Sequence, residues 1–428
     1  MAADQPVRRS PLMALDEALS LVLNQISALT QTEWVKTIDA DRRFLAEDLI
    51  SAMQVPPQDN SAMDGYAVRV EDISAPGACL KVAQRIPAGH LALPLNPGEA
   101  ARIFTGATMP SGANAVVMQE DAQVLEDGLG HADLPQVKIN RVPERGQWIR
   151  RSGEDVTRGS VVLPSGTRLD PSAIGLAASI GASEICVKRK PRVALFSTGD
   201  ELVMPGEIAP DKMRPGAIYN SNRFFLHALL IRAGCDVTDF GIVPDNLLAT
   251  LQVLREAAEG HDLVLTSGGV SVGEEDHVKP AVEKLGQLNL WQISMKPGKP
   301  FAFGRLNDND ASKQASTYFM GLPGNPVSSY VTFQLLVHPF LMKLQGQTDV
   351  ARKEYTLQAN FDLPKPDQRR EFLRVKRNAQ GGLDLFPNQS SGVLTSVVWG
   401  DGVIDNPSLQ PIHKGDWVRF HSFSDWLS

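Results

Sequence analysis

The clearest hydrophobic pattern lies between residue 191 and about residue 346, where short continuous apolar runs alternate with amphipathic stretches. Runs such as "RVALFS" and "DLVLTS" have the length of buried strands, whereas "NRFFLHALLIR" and "NLLATLQVLREAA" repeat apolar residues at helical spacing. Strands that are apolar on both faces and alternate with helices are typical of a parallel sheet covered on both sides. The pattern therefore predicts a doubly wound, mostly parallel sheet domain.

The remaining segments have a different pattern. Apolar residues at helical spacing over residues 12–26 predict a helix with Ser10 as its N-cap, and a second helix is predicted over Asp41–Ile50. Over residues 66–145, and again from about residue 348, short β-like runs alternate with Pro and Gly turns, which predicts β-rich domains. The fold class that follows is α/β multidomain.

Composition narrows the classes of function. The chain has 428 residues, 43% of them apolar, and its formal net charge of −7 argues against broad binding to nucleic acid or to an anionic membrane. No apolar run is long enough to span a bilayer, and Asp16 and Glu17 interrupt the N-terminal apolar stretch, so it is not interpreted as a signal peptide. Three widely spaced cysteines predict free thiols in a reducing cytoplasm.

Polar loops follow successive predicted strands of the 191–346 region. They carry Glu201 in "STGDEL", Asp245 in "VPDN", Asp276 in "SGGVSVGEED", Lys296 and Lys299 in "KPGKP", and Asn325 in "GLPGNP". Ligands bind such sheets beyond the carboxyl ends of the strands. Glycines let backbone amides approach a phosphate, and carboxylates beside a phosphate are tolerated where Mg²⁺ lies between them. Turns and helix caps are the alternative for each loop taken alone.

Other candidate residues lie outside that region. The segment "RREFLRV" clusters three arginines, and on a strand Arg370 and Arg374 share one face with Arg369 on the other. Both a solvated face and an anion clamp are compatible with this cluster. For Asp64 in "SAMDGYA", composition alone favours an ordinary turn, and a plain β-turn explains Thr105 in "FTGA" as well as a site does.

Seven motifs occur in a fixed order along the chain. They read "PQDNSAMDGYAV", "IFTGATMPSGANAVVMQED", "RRSGEDVTRGSVVL", "FSTGDEL", "TSGGVSVGEEDHVKP", "MKPGKPFAFG" and "GLPGNPVSS". Together they closely resemble the molybdopterin molybdenumtransferases, the family of MoeA and the gephyrin E domain. The resemblance covers nearly the whole chain and weakens only in its tail.

The resemblance implies an activity and an architecture. Members insert molybdate into adenylylated molybdopterin with Mg²⁺ and release AMP, and they form elongated four-domain homodimers in which the partner subunit completes the cleft. The implied boundaries are residues 27–55 with 146–190 for domain I, 56–145 for domain II, 1–26 with 191–346 for domain III, and 347–428 for domain IV.

The resemblance also assigns residues to roles. The catalytic set is Asp64, Thr105, Asp155, Glu201, Asp245 and Asp276, of which Glu201 and Asp276 are expected to hold Mg²⁺. The set expected to bind the pterin substrate is Ser267, Gly268, Gly269, Ser271, Pro323, Gly324, Asn325 and Pro326. The set expected to bind molybdate is Lys296, Lys299, Arg369, Arg374, Ser390 and Ser391.

The same resemblance also implies partners for this chain and leaves two alternative functions open. The chain shows no adenylyltransferase domain of the gephyrin type, so it is expected to take its substrate from a separate adenylyltransferase. One alternative is a scaffold dimer with little or no catalysis, and another is a related domain that acts on a different nucleotide, which should lack the "SAMDGYA" and "FTGA" half. One departure is Gln292, where some members have a lysine.

Overall fold

The computed structural model describes residues 12–125, 135–270, 277–307 and 317–427. They divide into two compact units, one formed by residues 12–33, 42–46 and 186–427, the other by residues 34–41 and 47–185. The finer division into four domains stays a prediction. Within the described ranges, no helix is both long and apolar enough to cross a membrane.

The helices are short and most lie in the larger unit. They are α1 Leu15–Asn24, α2 Pro171–Ser179, α3 Ser221–Arg232, α4 Leu247–Ala258, α5 Val278–Leu285, α6 Pro326–Thr332, α7 His338–Leu344, α8 Thr395–Trp399 and α9 Phe423–Leu427. A π-helical segment over Phe333–Val337 joins α6 to α7. Single 3₁₀ turns occupy Thr37–Asp39, Val70–Asp72, Gln119–Asp121 and Pro210–Lys212.

The first twelve strands precede the doubly wound region. They are β1 Thr32–Lys36, β2 Leu49–Ile50, β3 Asn60–Ser61, β4 Gly65–Val68, β5 Ala78–Ile86, β6 Glu99–Ile103, β7 Ala115–Met118, β8 Ala122–Leu125, β9 Gln136–Ile139, β10 Ile149–Arg150, β11 Val161–Leu163 and β12 Glu184–Lys188. In the smaller unit, six of them form a mixed sheet in the order β7-β4-β6-β5-β9-β8. The predicted small β domain is therefore confirmed as a sheet structure, with Tyr66, Val68 and Val117 in its core.

The strands of the doubly wound region are β13 Arg192–Thr198, β14 Leu202–Val203, β15 Ile218–Tyr219, β16 Asp236–Val243, β17 Leu263–Ser267, β18 Gly286–Gln292, β19 Met295–Lys296, β20 Pro300–Leu306 and β21 Thr317–Leu322. Six form one sheet in the order β16-β13-β17-β21-β20-β18. The first four are parallel, and β20 is antiparallel to both of its neighbours, so it runs against the other five. The mostly parallel sheet is confirmed, and β20 was not foreseen.

Helices cover both faces of this sheet. Val193 and Leu195 of β13 pack in a core with residues of α1, α3, α6 and α7, whereas Ala194 and Phe196 pack in a second core with α4 and α5. Because neighbouring strand residues point to opposite faces, this alternation makes β13 apolar along its whole length. The continuous apolar run in the sequence therefore reflects a strand that is buried on both sides.

The C-terminal strands form a second sheet in the larger unit. They are β22 Tyr355–Gln358, β23 Arg370–Arg377, β24 Leu383–Leu385, β25 Gly402–Asn406 and β26 Trp417–Ser422. The sheet has the order β19-β23-β25-β26-β22, so its edge strand β19 comes from the preceding region of the chain. In that pairing Met295 lies opposite Arg370 and Lys296 opposite Glu371.

Two local predictions were wrong. Helix α1 begins at Leu15 with Ala14 as its N-cap, and the predicted cap, Ser10, lies outside the described residues. No helix forms over residues 41–50. There, Ala46 donates to Cys186 O and Lys188 donates to Phe44 O, because the buried Phe44 and Leu45 belong to an extended segment paired with residues 186–188.

Candidate active site

A cavity of about 1170 Å³ lies where the strands of the doubly wound sheet end. Its walls include the loops that follow β13, β16, β17, β18 and β21, together with Arg369 and residues 389–391 of the C-terminal domain. Because β18 runs in the same direction as the parallel strands, the loop with Lys296 and Lys299 reaches the same edge of the sheet. The structure thus brings the described parts of all five polar loops to one cavity, as the sheet pattern predicts.

The loop after β17 depends on two glycines in the left-handed region. Gly268 has φ +95° and Gly269 has φ +65°. A Cβ at Gly268 would lie 2.7 Å from Thr198 O, and one at Gly269 would lie 2.5 Å from Val278 Cγ2. Side chains are excluded at both positions, and this leaves the backbone of the loop open to a ligand in the cavity.

A buried asparagine joins this loop to the turn after β21. Asn222 Nδ2 donates to Ser267 Oγ at 2.8 Å and to Gly324 O at 2.7 Å. Asn222 stands in the first turn of α3, where Asn220 is the N-cap and accepts the Arg223 N–H. Asn222 therefore fixes these two loops relative to each other.

The "PGNP" turn leads directly into α6. Asn325 is the N-cap residue and Pro326 takes the first helical position, where its missing N–H costs nothing. The Val327 N–H donates to Ser391 O at 2.9 Å. The loop with Ser390 and Ser391 is therefore hydrogen bonded to the first turn of α6, and Pro323, Gly324, Asn325, Pro326, Ser390 and Ser391 all line the cavity.

Carboxylates contribute another part of the lining. Glu201 and Asp245 both line the cavity, and the Asp245 N–H lies 3.4 Å from Asp200 Oδ1. Asp276 and Ser271, predicted for the metal and the pterin, lie outside the described residues. Two carboxylates with substrate phosphate oxygens and water fit the oxygen ligands that Mg²⁺ prefers. Within the described ranges, no three His, Cys, Asp or Glu side chains form a metal-binding group.

Three cationic side chains and two serines line the cavity: Lys296, Lys299, Arg369, Ser390 and Ser391. We call this set the oxyanion pocket, after the ligand that is proposed for it below. Arg369 Nε lies 3.0 Å from Asp367 Oδ1, and Lys296 Nζ lies 3.2 Å from Asp367 Oδ2. Lys296 Nζ also lies 3.1 Å from Glu371 Oε1.

These contacts shift the ionisation of the charged groups in the oxyanion pocket. Burial lowers the pKa of Lys296, but the carboxylates of Glu371 and Asp367 outweigh burial and hold it above its ordinary value. The hydrogen bond from Arg369 is the main reason that the pKa of Asp367 lies well below its usual range. Both groups are therefore charged at neutral pH.

Arg374 lies apart from the lining of this cavity. Its side chain is 1% exposed and donates to Ser396 Oγ, Phe372 O and Ser390 O, and burial lowers its pKa to about 10. Its backbone also exchanges hydrogen bonds with the Gln389 side chain. Arg374 therefore holds the loop of the two serines from behind, and its predicted contact with molybdate is not part of the observed lining.

The other predicted residues belong to the smaller unit. Asp64 Oδ1 accepts from the Thr105 N–H and the Thr105 Oγ, each at 2.8 Å. The Thr105 N–H is the main reason that the pKa of Asp64 is lowered. Asp155 is exposed, and its N–H donates to Val55 O. Asp64 and Thr105 thus form a hydrogen-bonded pair. The catalytic roles of Asp64, Thr105 and Asp155 stay predictions.

Several lining residues were not singled out from the sequence. They include Thr198, Tyr219, Asn222, Ser328 and Gln389, and the two carboxylates behind the cations, Asp367 and Glu371, were also missed. The short segment "YNSN" could have drawn attention to Asn222, since two asparagines at the start of a helix exceed what one cap requires. No local signal marks Asp367 or Glu371 as partners of Lys296.

Comparison with protein-family models covers most of the chain. Residues 13–181 match the MoeA N-terminal region, domains I and II. Residues 194–343 match a probable molybdopterin binding domain, and residues 356–423 match the MoeA C-terminal region, domain IV.

Individual relatives agree with the family models. The molybdopterin molybdenumtransferase of Haemophilus influenzae is 43% identical over 378 residues, 87% of this chain and 89% of the relative. That of Nostoc sp. is 36% identical over 346 residues, 79% of this chain and 76% of the relative. The crystal structure of the molybdopterin biosynthesis MoeA protein of Pyrococcus horikoshii superposes with a TM-score of 0.79 at 28% identity, covering 96% of this chain and 100% of that one. The chain belongs to the molybdopterin molybdenumtransferase family, a family of transferases in molybdenum cofactor biosynthesis.

Proposed function

We propose that this chain inserts molybdate into adenylylated molybdopterin in the presence of Mg²⁺, giving molybdenum cofactor and AMP. One observation carries the proposal: a single large cavity combines Lys296, Lys299 and Arg369 with Glu201 and Asp245. An adenylylated pterin and an oxyanion both need cationic and N–H donors, and a divalent cation needs carboxylates. The relatives named as molybdopterin molybdenumtransferases support the choice of substrates.

The substrate-binding loops would orient the pterin nucleotide. The Gly268–Gly269 turn offers backbone at close range, and Asn222 holds it against Gly324. Because these groups are fixed by the fold, little conformational entropy is lost when a ligand binds. Ser267 and the "PGNP" turn complete this side of the cavity.

The oxyanion pocket would hold molybdate beside the phosphoanhydride. Lys299 and Arg369 offer N–H donors to a tetrahedral dianion, and the Ser390 and Ser391 hydroxyls can add further hydrogen bonds. Positive charge fixed beforehand at this point stabilises the charge that develops as AMP departs. When bound, Mg²⁺ would offset the negative charge of the phosphoanhydride. Glu201 and Asp276 are the residues proposed to hold it.

The proposal extends to the assembly and its setting. The protein is proposed to act as a cytoplasmic homodimer in which the partner's smaller unit, with its own copies of the Asp64–Thr105 pair and Asp155, completes the cleft. It would receive its substrate from a molybdopterin adenylyltransferase. A molecular-mass measurement in solution tests the dimer directly, and a monomer that retains full activity would contradict it.

The reaction is tested with purified adenylylated molybdopterin, molybdate and Mg²⁺, with AMP release measured by chromatography. We expect AMP release that depends on molybdate, and we expect Glu201→Gln to slow it by roughly 100-fold, a typical loss when a group that stabilises the transition state is removed. Glu207→Gln, at an exposed residue outside the cavity lining, serves as the control. A folded wild-type protein that releases no AMP would overturn the proposal and favour the scaffold function.

A further inference from the structure

Two carboxylates that no predicted role includes contact the cations of the oxyanion pocket. Asp367 accepts from Arg369 Nε at 3.0 Å and from Arg369 Nη2 at 3.1 Å, and it lies 3.2 Å from Lys296 Nζ. Glu371 accepts from Lys296 Nζ at 3.1 Å. Two of the three cations in the pocket therefore have partners that carry the same charge sign as the proposed substrate.

The two carboxylates differ in how firmly they are held. Glu371 is 4% exposed, lies on β23 opposite Lys296 of β19, and accepts the Asp367 N–H at 3.0 Å. The Asp367 side chain is 22% exposed and lies before β23 begins. Glu371 is thus fixed by strand pairing, whereas the Asp367 carboxylate lies outside the strand and is held by the Arg369 N–H at 3.0 Å and by the ends of the Arg369 and Lys296 side chains.

Asp367 occupies the donors that an oxyanion needs. Its two oxygens take Nε and Nη2 of Arg369, the edge of the guanidinium that binds oxyanions in a bidentate manner. The Lys299 ammonium makes no hydrogen bond or ion pair with a residue in the described ranges, whereas its backbone carbonyl accepts the Ile293 N–H. With three cations and two carboxylates, the formal charge of the group is +1.

We propose that Asp367 is a resident counter-ion, a positioning residue that a tetrahedral dianion displaces from Arg369 and Lys296, so that it sets the affinity and charge selectivity of the oxyanion pocket. Before the anion arrives, Asp367 holds both cations in place. Once the anion is bound, the displaced carboxylate repels it, which weakens the binding of dianions more than that of monoanions. This inference rests on the proposed function of the same pocket.

The test compares the affinities of the wild-type protein and Asp367→Asn for two tetrahedral anions of similar size, molybdate with charge −2 and perrhenate with charge −1. Equilibrium dialysis at fixed ionic strength measures both. The repulsion between the Asp367 carboxylate and a bound anion is proportional to the charge of the anion, so its removal changes the binding free energy of a dianion twice as much as that of a monoanion. We therefore expect Asp367→Asn to bind molybdate roughly tenfold more tightly and perrhenate roughly threefold more tightly. Asp367→Glu retains the charge and should remain within about threefold of the wild-type protein for both anions.

Asp401→Asn is the matched control. Asp401 lies in the same C-terminal domain near an arginine, with Arg377 Nε at 3.9 Å, but neither residue lines the cavity. We expect its molybdate affinity to match that of the wild-type protein. Asp367→Ser gives the same expectation as Asp367→Asn and replaces it if circular dichroism shows that the first variant is not folded.

The outcomes separate the inference from the proposed function. Unchanged or weaker molybdate binding in Asp367→Asn, or equal gains for the two anions, would overturn the counter-ion role while molybdate-dependent AMP release by the wild-type protein still supported the transferase. A wild-type protein that neither binds molybdate nor releases AMP would overturn both. A larger gain for molybdate than for perrhenate, absent in Asp401→Asn, supports the inference.

Discussion

The doubly wound domain and the C-terminal β domain contribute to the same cavity by different means. The first contributes loops whose shape depends on glycine conformation and on a buried asparagine, supported by apolar packing on both faces of its sheet. The second contributes Arg369 and the loop of Ser390 and Ser391, which are supported by charged side chains: Asp367 beside Arg369, and Arg374 behind the serines. We therefore expect the C-terminal side of the site to be the more sensitive to substitutions that remove charge.

Charged support extends along β23 to Arg370 and the buried Asp405, and this pair gives the strongest test of the contrast. Asp405 is 2% exposed and accepts from Arg370 Nε at 2.6 Å. Replacing Asp405 by asparagine removes the buried charge that faces Arg370, whose side chain is 19% exposed and keeps the exposed Asp16 as its remaining carboxylate partner. We expect the free energy of unfolding to fall by about 4 kcal/mol at pH 7. Denaturant titration measures this. The control, Asp236→Asn, removes an exposed ion pair with Lys190 from the doubly wound sheet and should cost less than about 0.5 kcal/mol.

The same pair predicts a dependence on pH. Burial alone would raise the pKa of Asp405, but the hydrogen bonds and charge of Arg370 hold it well below its ordinary value of 3.8. Since the folded pKa is the lower one, the carboxylate stabilises the fold above about pH 4, and this contribution is lost as the pH falls further. The gap between the wild-type protein and Asp405→Asn should therefore shrink below pH 4. A gap that stays constant would contradict the assignment.

Arg374 provides the next largest effect. Arg374→Met removes three hydrogen bonds of a buried side chain and leaves the carbonyl oxygens of Phe372 and Ser390 without this donor, so we expect a loss of about 3 kcal/mol in the free energy of unfolding. Molybdate binding should weaken as well, because the serine loop loses its support. Arg377→Met, on the same strand but more than half exposed, should change stability by less than about 0.5 kcal/mol. Equal losses of stability in Arg374→Met and Arg377→Met would contradict the structural role assigned to the buried arginine.

In the doubly wound domain, stability and ligand binding are expected to depend on glycines with positive φ in the loop after β17. Gly268→Ala places a Cβ 2.7 Å from Thr198 O at φ +95°, and we expect a loss of about 2 kcal/mol together with weaker binding of the pterin nucleotide. Gly260 has φ +80° with open space around its Cα, so Gly260→Ala should cost about 1 kcal/mol and leave binding unchanged. Thermal unfolding and ligand titration measure the two effects. Unaltered binding in Gly268→Ala would argue against contact between this loop and the ligand.

The smallest effect is expected at Lys299. Because no described residue pairs with its ammonium, Lys299→Met should leave the free energy of unfolding within about 0.5 kcal/mol of the wild-type value. We expect roughly tenfold weaker molybdate binding, the loss of one charged contact in a partly exposed site. Lys284→Met, an exposed lysine in the last turn of α5, should alter neither property. Lower stability in Lys299→Met would indicate a structural partner instead.

Much of the doubly wound domain could be predicted because its signals are local. Continuous apolar runs mark β13 and β17, helical spacing marks α3 and α4, and the direction of parallel strands then brings their loops together. Strand β20 was missed because it begins at Pro300, directly after a segment typical of a turn. The helix predicted over residues 41–50 failed because the apolar pair Phe44 and Leu45 suits an extended segment equally well.

The arginines near β23 and the partner of Lys296 show why other features of the site could not be predicted from the sequence. Strand alternation in the sequence separates Arg369 from Arg370 and Arg374 by face, but it does not show that Arg369 precedes β23 and lines the cavity whereas Arg374 is buried. That distinction depends on contacts with Ser390 and Ser396, which lie 16 and 22 residues away along the chain. Glu371 meets Lys296 through strand pairing over 75 residues, and no local pattern records such a pairing.

The position of β19 also bears on whether the C-terminal domain could be transferred to another protein by recombination. Met295 and Lys296 belong by sequence to the doubly wound region, yet their backbone pairs with the first residues of β23. A C-terminal module moved to another chain would lose this edge strand, exposing unpaired N–H and C=O groups at the start of β23. It would also leave Glu371 without the lysine it faces. Separating the two regions would therefore cost both a strand pairing and an ion pair, which favours their transfer as a unit.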